Sequence, residues 1–169
     1  MRHDTIIAAA ALLCATAVGR AAGAQESSIE GHANYARTTQ THLDSWGAGA
    51  QYGLTFGSKH KPQLATSLGV DYTKQEKSGP QQINGSLDAS VQVPVSPMFA
   101  PYVGGSVGVN RTTGGGQPAS TEPGFQYIVG AQLEPDPQSP IALHAEVRPG
   151  YVRGQEHAVT YRFGIAFSL

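Results

Sequence analysis

The chain has 169 residues, a length that fits one domain. Charged residues make up 14% of it and the formal net charge is −1, with no Lys/Arg stripe. That excludes nucleic acid as the main partner. Beyond residue 24 no segment approaches the ~20 apolar residues of a membrane helix.

The first residues read as an address rather than as fold. Arg2 and His3 form a short basic start, Ile6 to Val18 is an apolar run, and Ala22-Gly23-Ala24 is a small-residue cleavage site. This is the pattern of a secretory signal peptide, expected to be cut after Ala24. The one cysteine, Cys14, lies inside it. The remaining domain, 25–169, therefore has neither a disulfide nor a cysteine-based metal site.

From there the chain alternates with period 2, the spacing of a strand with two different faces. Ile29, Gly31, Ala33 and Tyr35 stand opposite Glu30, His32 and Asn34. Trp46, Ala48, Ala50, Tyr52, Leu54 and Phe56 stand opposite four small or polar residues and Thr55. Leu64–Tyr72, Ile83–Val93, Phe99–Val109, Phe125–Leu133 and Ile141–Tyr151 follow with less contrast. The last segment, Ala158–Leu169, is strict: Val159, Tyr161, Phe163, Ile165 and Phe167 alternate with Thr160, Arg162, Gly164, Ala166 and Ser168. These are eight strand candidates of roughly 9–12 residues, the length a tilted membrane strand needs. The connectors carry turn chemistry: Gly57–Pro62, Pro94–Pro97, the glycine-rich Arg111–Gly124 and Glu134–Pro140. Pro101 and Pro149 fall inside strand candidates and predict a bulge or a frayed end there.

The predicted fold class is all-β, a closed antiparallel up-and-down barrel of eight strands crossing a membrane. Alternation alone also describes a soluble barrel with its apolar face inward. Two features favour an apolar face turned to lipid. The opposite face is mostly Gly, Ala and Ser with a few charges, which suits the narrow interior of eight strands. The aromatics sort by strand end. With the chain entering from the periplasm, Tyr35, Trp46, Tyr72, Tyr127, Tyr151 and Tyr161 fall near the outer ends, and Phe56, Phe99 and Phe167 near the inner ends. Such rows are the aromatic girdles of a membrane barrel.

Phe167 two positions before Leu169, and the strand Pro101-Tyr102-Val103-Gly104-Gly105-Ser106-Val107-Gly108-Val109, are where the chain resembles the small outer-membrane β-barrels of the OmpA, OmpX and opacity-protein type. The resemblance covers about residues 28–169. It implies a Gram-negative-type cell envelope, a location in the outer membrane, contact with outer-membrane lipids and handling of the last strand by the barrel-assembly machinery. The terminal Leu169, where the family has an aromatic residue, departs from its pattern.

Glu30, Asp88, Glu146, Arg148 and Arg162 are the candidate lumen network. If Tyr151 pairs near Ala158, Arg148 lies roughly opposite Arg162 and Glu146 diagonally from it. Buried charges are usually paired, so this group reads as a plug. His32 and His144 face the same lumen but lack a metal-ligand spacing, and no catalytic triad, cofactor motif or phosphate loop is present. Lys59-His60-Lys61 reads as a solvated turn. The expected role is structural or interactive, carried by a monomer, with an extracellular ligand meeting the long loop Asn110–Gly124. The alternatives are a lipid-modifying barrel enzyme and a soluble periplasmic barrel that carries a small ligand.

Overall fold

The computed structural model describes residues 26–58, 60–76, 79–116, 118–136, 138–152 and 157–169. The segment expected to be a signal peptide, with Cys14, lies outside them, as does Lys59. Eight strands follow in chain order: β1 (Glu26–Thr38), β2 (Asp44–Phe56), β3 (Gln63–Gln75), β4 (Gln81–Gln92), β5 (Phe99–Thr113), β6 (Ser120–Leu133), β7 (Ile141–Val152) and β8 (Ala158–Ser168). Each pairs antiparallel with its sequence neighbours, and β1 pairs with β8, so the sheet closes into a barrel. Closure leaves no strand edge unpaired, and this arrangement lets a sheet cross hydrocarbon.

The two faces separate as the alternation requires. Ile29, Val70, Leu87, Val103, Val107, Val129, Phe163 and Ile165 are exposed on the outside. Glu30, His32, Asn34, Asp71, Asp88, Ser106, Glu146, Arg148 and Arg162 are buried on the inside. The fold is thus the inverse of a soluble barrel, with its polar residues in the core and its apolar residues out. Two outliers stand against the pattern. Ile128 faces inward and is 2% exposed, and Leu54, expected on the outer face, is buried and lines a cavity at the barrel end that holds both termini.

The glycine-rich segment differs most from expectation. Asn110–Gly124 is not a long loop. β5 continues to Thr113, β6 starts at Ser120, and the ladder runs on through Asn110↔Glu122, Arg111↔Thr121 and Thr112↔Ser120. Only residues 114–119 connect them, and Gly114, Gly115 and Gly116 have φ of 84°, 67° and 75°. That run of left-handed backbone is open to glycine and strained for other residues. Pro123 sits in β6 with Val109 as its partner, just beyond the last β6–β7 pair at Gly124↔Val152. A residue without an N–H is tolerated where the ladder on one side has ended.

The prolines expected to disturb strands do so mildly. Pro101 pairs with Ala131, and its carbonyl accepts from the Val93 N–H at 2.9 Å. Around Pro149 the β6–β7 ladder is interrupted between Gln126↔Gly150 and Val129↔Val147, yet the register is the same on both sides. The break is a gap in hydrogen bonding, not a bulge.

Candidate functional site

The inward side chains of seven strands meet in one ionic network at mid-barrel. Arg148 on β7 is 1% exposed. Its Nε donates to Glu146 Oε2 at 2.5 Å and its Nη2 to Asp88 Oδ2 at 2.5 Å. Arg162 on β8 donates from Nη2 to Asp71 Oδ2 (2.9 Å), from Nη1 to Gln51 Oε1 (3.2 Å) and from Nε to Asn34 Oδ1 (3.3 Å). Its Nη1 also lies 3.6 Å from Glu146 Oε2 and 3.9 Å from Asp88 Oδ2, which joins the two arginine clusters.

The second half of the network is built around β1. His32 Nε2 is 2.7 Å from Asp71 Oδ1, and its Nδ1 is 3.4 Å from Glu30 Oε1. Asn34 Nδ2 donates to Asp71 Oδ1 (2.6 Å) and Gln51 Nε2 to Glu30 Oε2 (2.9 Å). Tyr102 donates to Glu146 Oε1 at 2.8 Å, and its hydroxyl is 3.4 Å from His144 Nδ1, which is itself 3.5 Å from Glu30 Oε2. Four carboxylates, Glu30, Asp71, Asp88 and Glu146, thus face two guanidiniums and two imidazoles. Each buried charge has an opposite neighbour, the condition under which charges survive in a low-dielectric interior.

The structure brings together all five residues of the candidate lumen network, but through a different register. Glu146 is the direct partner of Arg162, and Arg148 is opposite Thr160. Arg148 and Arg162 are therefore not opposite each other. They are offset along the strands, and the acids fit between them. Sequence reasoning missed the parts played by His32, Asn34, Gln51, Asp71 and Tyr102. Their signal was their place on the inward face. Glycine makes the room they occupy. A Cβ at Gly130 would come within 2.6 Å of Tyr102 Cζ, and one at Gly164 would strike the Glu30 carboxylate.

The network divides the bore. Towards the termini lies a cavity of about 90 Å³ lined by Glu30, Gln132, His144 and Glu146 among others. Towards the opposite, distal end lies one of about 370 Å³, floored by Asp71 and Arg162. The two share no lining residue. Among the described residues no group of three metal-ligating side chains is placed to hold an ion.

The aromatic residues form a different constellation on the outer face. Tyr35, Trp46 and Tyr161 meet across β8, β1 and β2 near the distal end, with ring centroids 4.6 Å apart for Tyr35–Trp46 and 6.0 Å for Tyr35–Tyr161. Tyr35 is further held by a 2.7 Å bond to Asp44. Tyr72 and Tyr151 are exposed near the same end, and Phe99 and Phe167 near the other, where Phe56 is half-buried. Tyr127 differs from expectation. Because β6 starts at Ser120 rather than Phe125, it stands in mid-strand, packed edge-on against Phe125 at 4.9 Å.

This architecture has known counterparts. Ail, the attachment invasion locus protein of Yersinia pestis, superposes with a TM-score of 0.62 at 17% identity, over 85% of this chain and 98% of that one. Neisserial surface protein A gives 0.56 at 17% identity, over 85% and 96%. The outer membrane enzyme PagL gives 0.59 at 10% identity, over 82% and 98%. These likenesses concern the fold. No curated protein sequence matches the chain. The family model of the outer membrane protein beta-barrel domain matches residues 6–164. With the closed eight-stranded barrel, its apolar exterior and its charged interior, this chain belongs to the outer membrane protein β-barrel domain family, whose place is the outer membrane.

Proposed function

We propose that this is a non-enzymatic barrel, closed to solute flow, whose distal end faces the cell exterior and makes contacts there. The observation that carries the reading is the network itself. Arg148 and Arg162 reach acids on β3, β4 and β7, so ion pairs span the bore instead of lining it. Eight strands leave an interior just wide enough for side chains to fill. The aromatic rows of the outer face serve as anchors at the two lipid interfaces. The signal peptide ends at Ala24, and the assembly machinery acts on the last strand. Two barrels of this fold are named for surface roles, an attachment invasion locus protein and a neisserial surface protein, which supports a role at the surface.

A lipid-modifying activity needs a nucleophile and base in contact where lipid arrives. Both histidines within the described strands, His32 and His144, turn inward instead. Planar-bilayer recording of the purified protein tests the closed lumen, and lipid A profiles from cells with and without it test the absence of enzymatic activity. Sustained porin-like openings, or an altered lipid A, would refute the respective half of the proposal.

A further inference from the structure

We infer that the distal cavity is a binding site for a neutral saccharide; this deepens the surface-contact reading and rests on it. The cavity has a volume of about 370 Å³, within the range of small-molecule sites. Its wall chemistry is unusual for a charged lumen. Among the described residues its only charged lining groups are Asp71 and Arg162, and these pair with each other at 2.9 Å in the floor. Above them the walls are carboxamides and hydroxyls: Asn84, Asn110, Gln126, Thr73 and Thr160.

Asn110 is the most telling of these. It is 8% exposed, so more than nine-tenths buried, and it lines the cavity. Among the described residues its carboxamide has no side-chain hydrogen bond, in contrast to Asn34 and Gln51 in the network below. Its amide atoms stay open to the bore rather than sealed, so a ligand that offers both a donor and an acceptor gains both bonds. Gln126 lies over Gly150, where a Cβ would come within 2.6 Å of its Cγ, so that glycine lets the amide lie along the wall.

Charge and polarity select the ligand class. An anion finds no unpaired cation among the lining residues, and a cation finds no unpaired acid. An apolar ligand would desolvate the amides without pairing them. A neutral polyhydroxylated ring fits. Each hydroxyl both donates and accepts, as each carboxamide does, and its C–H faces can rest on Leu43, Pro80 and Val152 at the cavity mouth. The same chemistry has two sources: a free or partner-borne glycan outside the cell, or the polysaccharide of lipids in the same membrane.

The test is a titration of the full protein, isotope-labelled and in detergent micelles, with maltose, lactose and chitobiose, and with a sulfated disaccharide for comparison. Side-chain amide NMR signals are the readout. Expected are saturable shifts of the Asn110 and Gln126 signals with at least one neutral sugar. Asn110→Leu should weaken binding by about tenfold or more, since two hydrogen bonds are lost. If that variant fails the heat-modifiability check for folding, Thr160→Val, which keeps the shape, takes its place. No saturable shift with any neutral sugar, a shift indifferent to the variants, or preference for the sulfated sugar overturns the site. Nanodiscs with lipopolysaccharide that carries or lacks its polysaccharide separate the sources: shifts only with the full polysaccharide assign the membrane's own sugar, and shifts only with added sugar assign an external one. Cell-surface binding separates the two levels of the reading. Binding that is lost without the protein but unchanged by Asn110→Leu overturns the site and keeps the surface role. Binding equal in cells with and without the protein overturns the surface role itself.

Discussion

Arg148 on β7 reaches across the bore to Asp88 on β4, with Nη2 and Oδ2 2.5 Å apart, although the two lie 60 positions apart in sequence. The same guanidinium holds Glu146 at 2.5 Å, and neither side chain is more than 5% exposed in the Arg148–Asp88 pair. The pair makes no local contribution to either strand. It ties opposite walls of the barrel.

Removing one partner of such a pair should therefore cost more than a surface charge. Arg148→Met leaves Asp88 and Glu146 buried without their cation, a change worth about 3–5 kcal/mol of stability. Unfolding by urea in lipid vesicles measures it. Asp88→Asn combined with Arg148→Met should be less destabilised than the sum of the two single changes, because one of the two stranded charges is also removed. Strict additivity would show that the pair is not coupled.

The lipid face makes the opposite demand. Ile165 is 47% exposed on β8, between Gly31 of β1 and Leu143 of β7. Ile165→Arg should destabilise the bilayer-inserted barrel by about 2–4 kcal/mol, the cost of a guanidinium near the midplane. Leu169→Arg, just past the strand end with the parity of the same face, should cost far less. Equal stabilities for the two variants in vesicles would put the hydrocarbon in the wrong place.

Gly130 tests the space left for the network. The Tyr102 ring occupies the position a Cβ would need, and its hydroxyl is pinned to Glu146. Gly130→Ala should cost about 1–3 kcal/mol, the range of an overpacked core. Tyr102→Leu should relieve most of that penalty while losing the bond to Glu146. A double variant no better than Gly130→Ala alone would refute the steric account.

The β5–β6 hairpin carries a prediction about exposure. Hydrogen exchange should be slow in peptides spanning 109–113 and 120–124, which the ladder holds, and fast only in 114–119. Protease added to intact cells should cut within 114–119 if at all. Rapid exchange through the whole of 110–124 would restore a long loop there.

Much of this molecule is legible in its sequence, and the reason is that period 2 is a local property. The alternation of Tyr161, Phe163, Ile165 and Phe167 with Arg162, Gly164 and Ala166 is enough to define a strand and its two faces. It placed the five lumen charges inward without any knowledge of their partners. It could not set the register. Sliding β7 against β8 by one residue would turn every side chain to the wrong face, but a slide by two preserves every face. The sequence is therefore blind between Arg148 opposite Arg162 and Glu146 opposite Arg162. Closure of the whole ring decided for the second, in which an acid meets the arginine. Tyr102, His32 and Asp71 entered the network for the same reason, since the contacts Tyr102–Glu146 and His32–Asp71 join strands that do not pair in the sheet. The hairpin beyond Asn110 escaped notice by a related route. Outside the hydrocarbon neither face needs to be apolar, so Arg111, Thr112, Ser120 and Thr121 carry no alternation, and only backbone pairing in the folded barrel makes them strand.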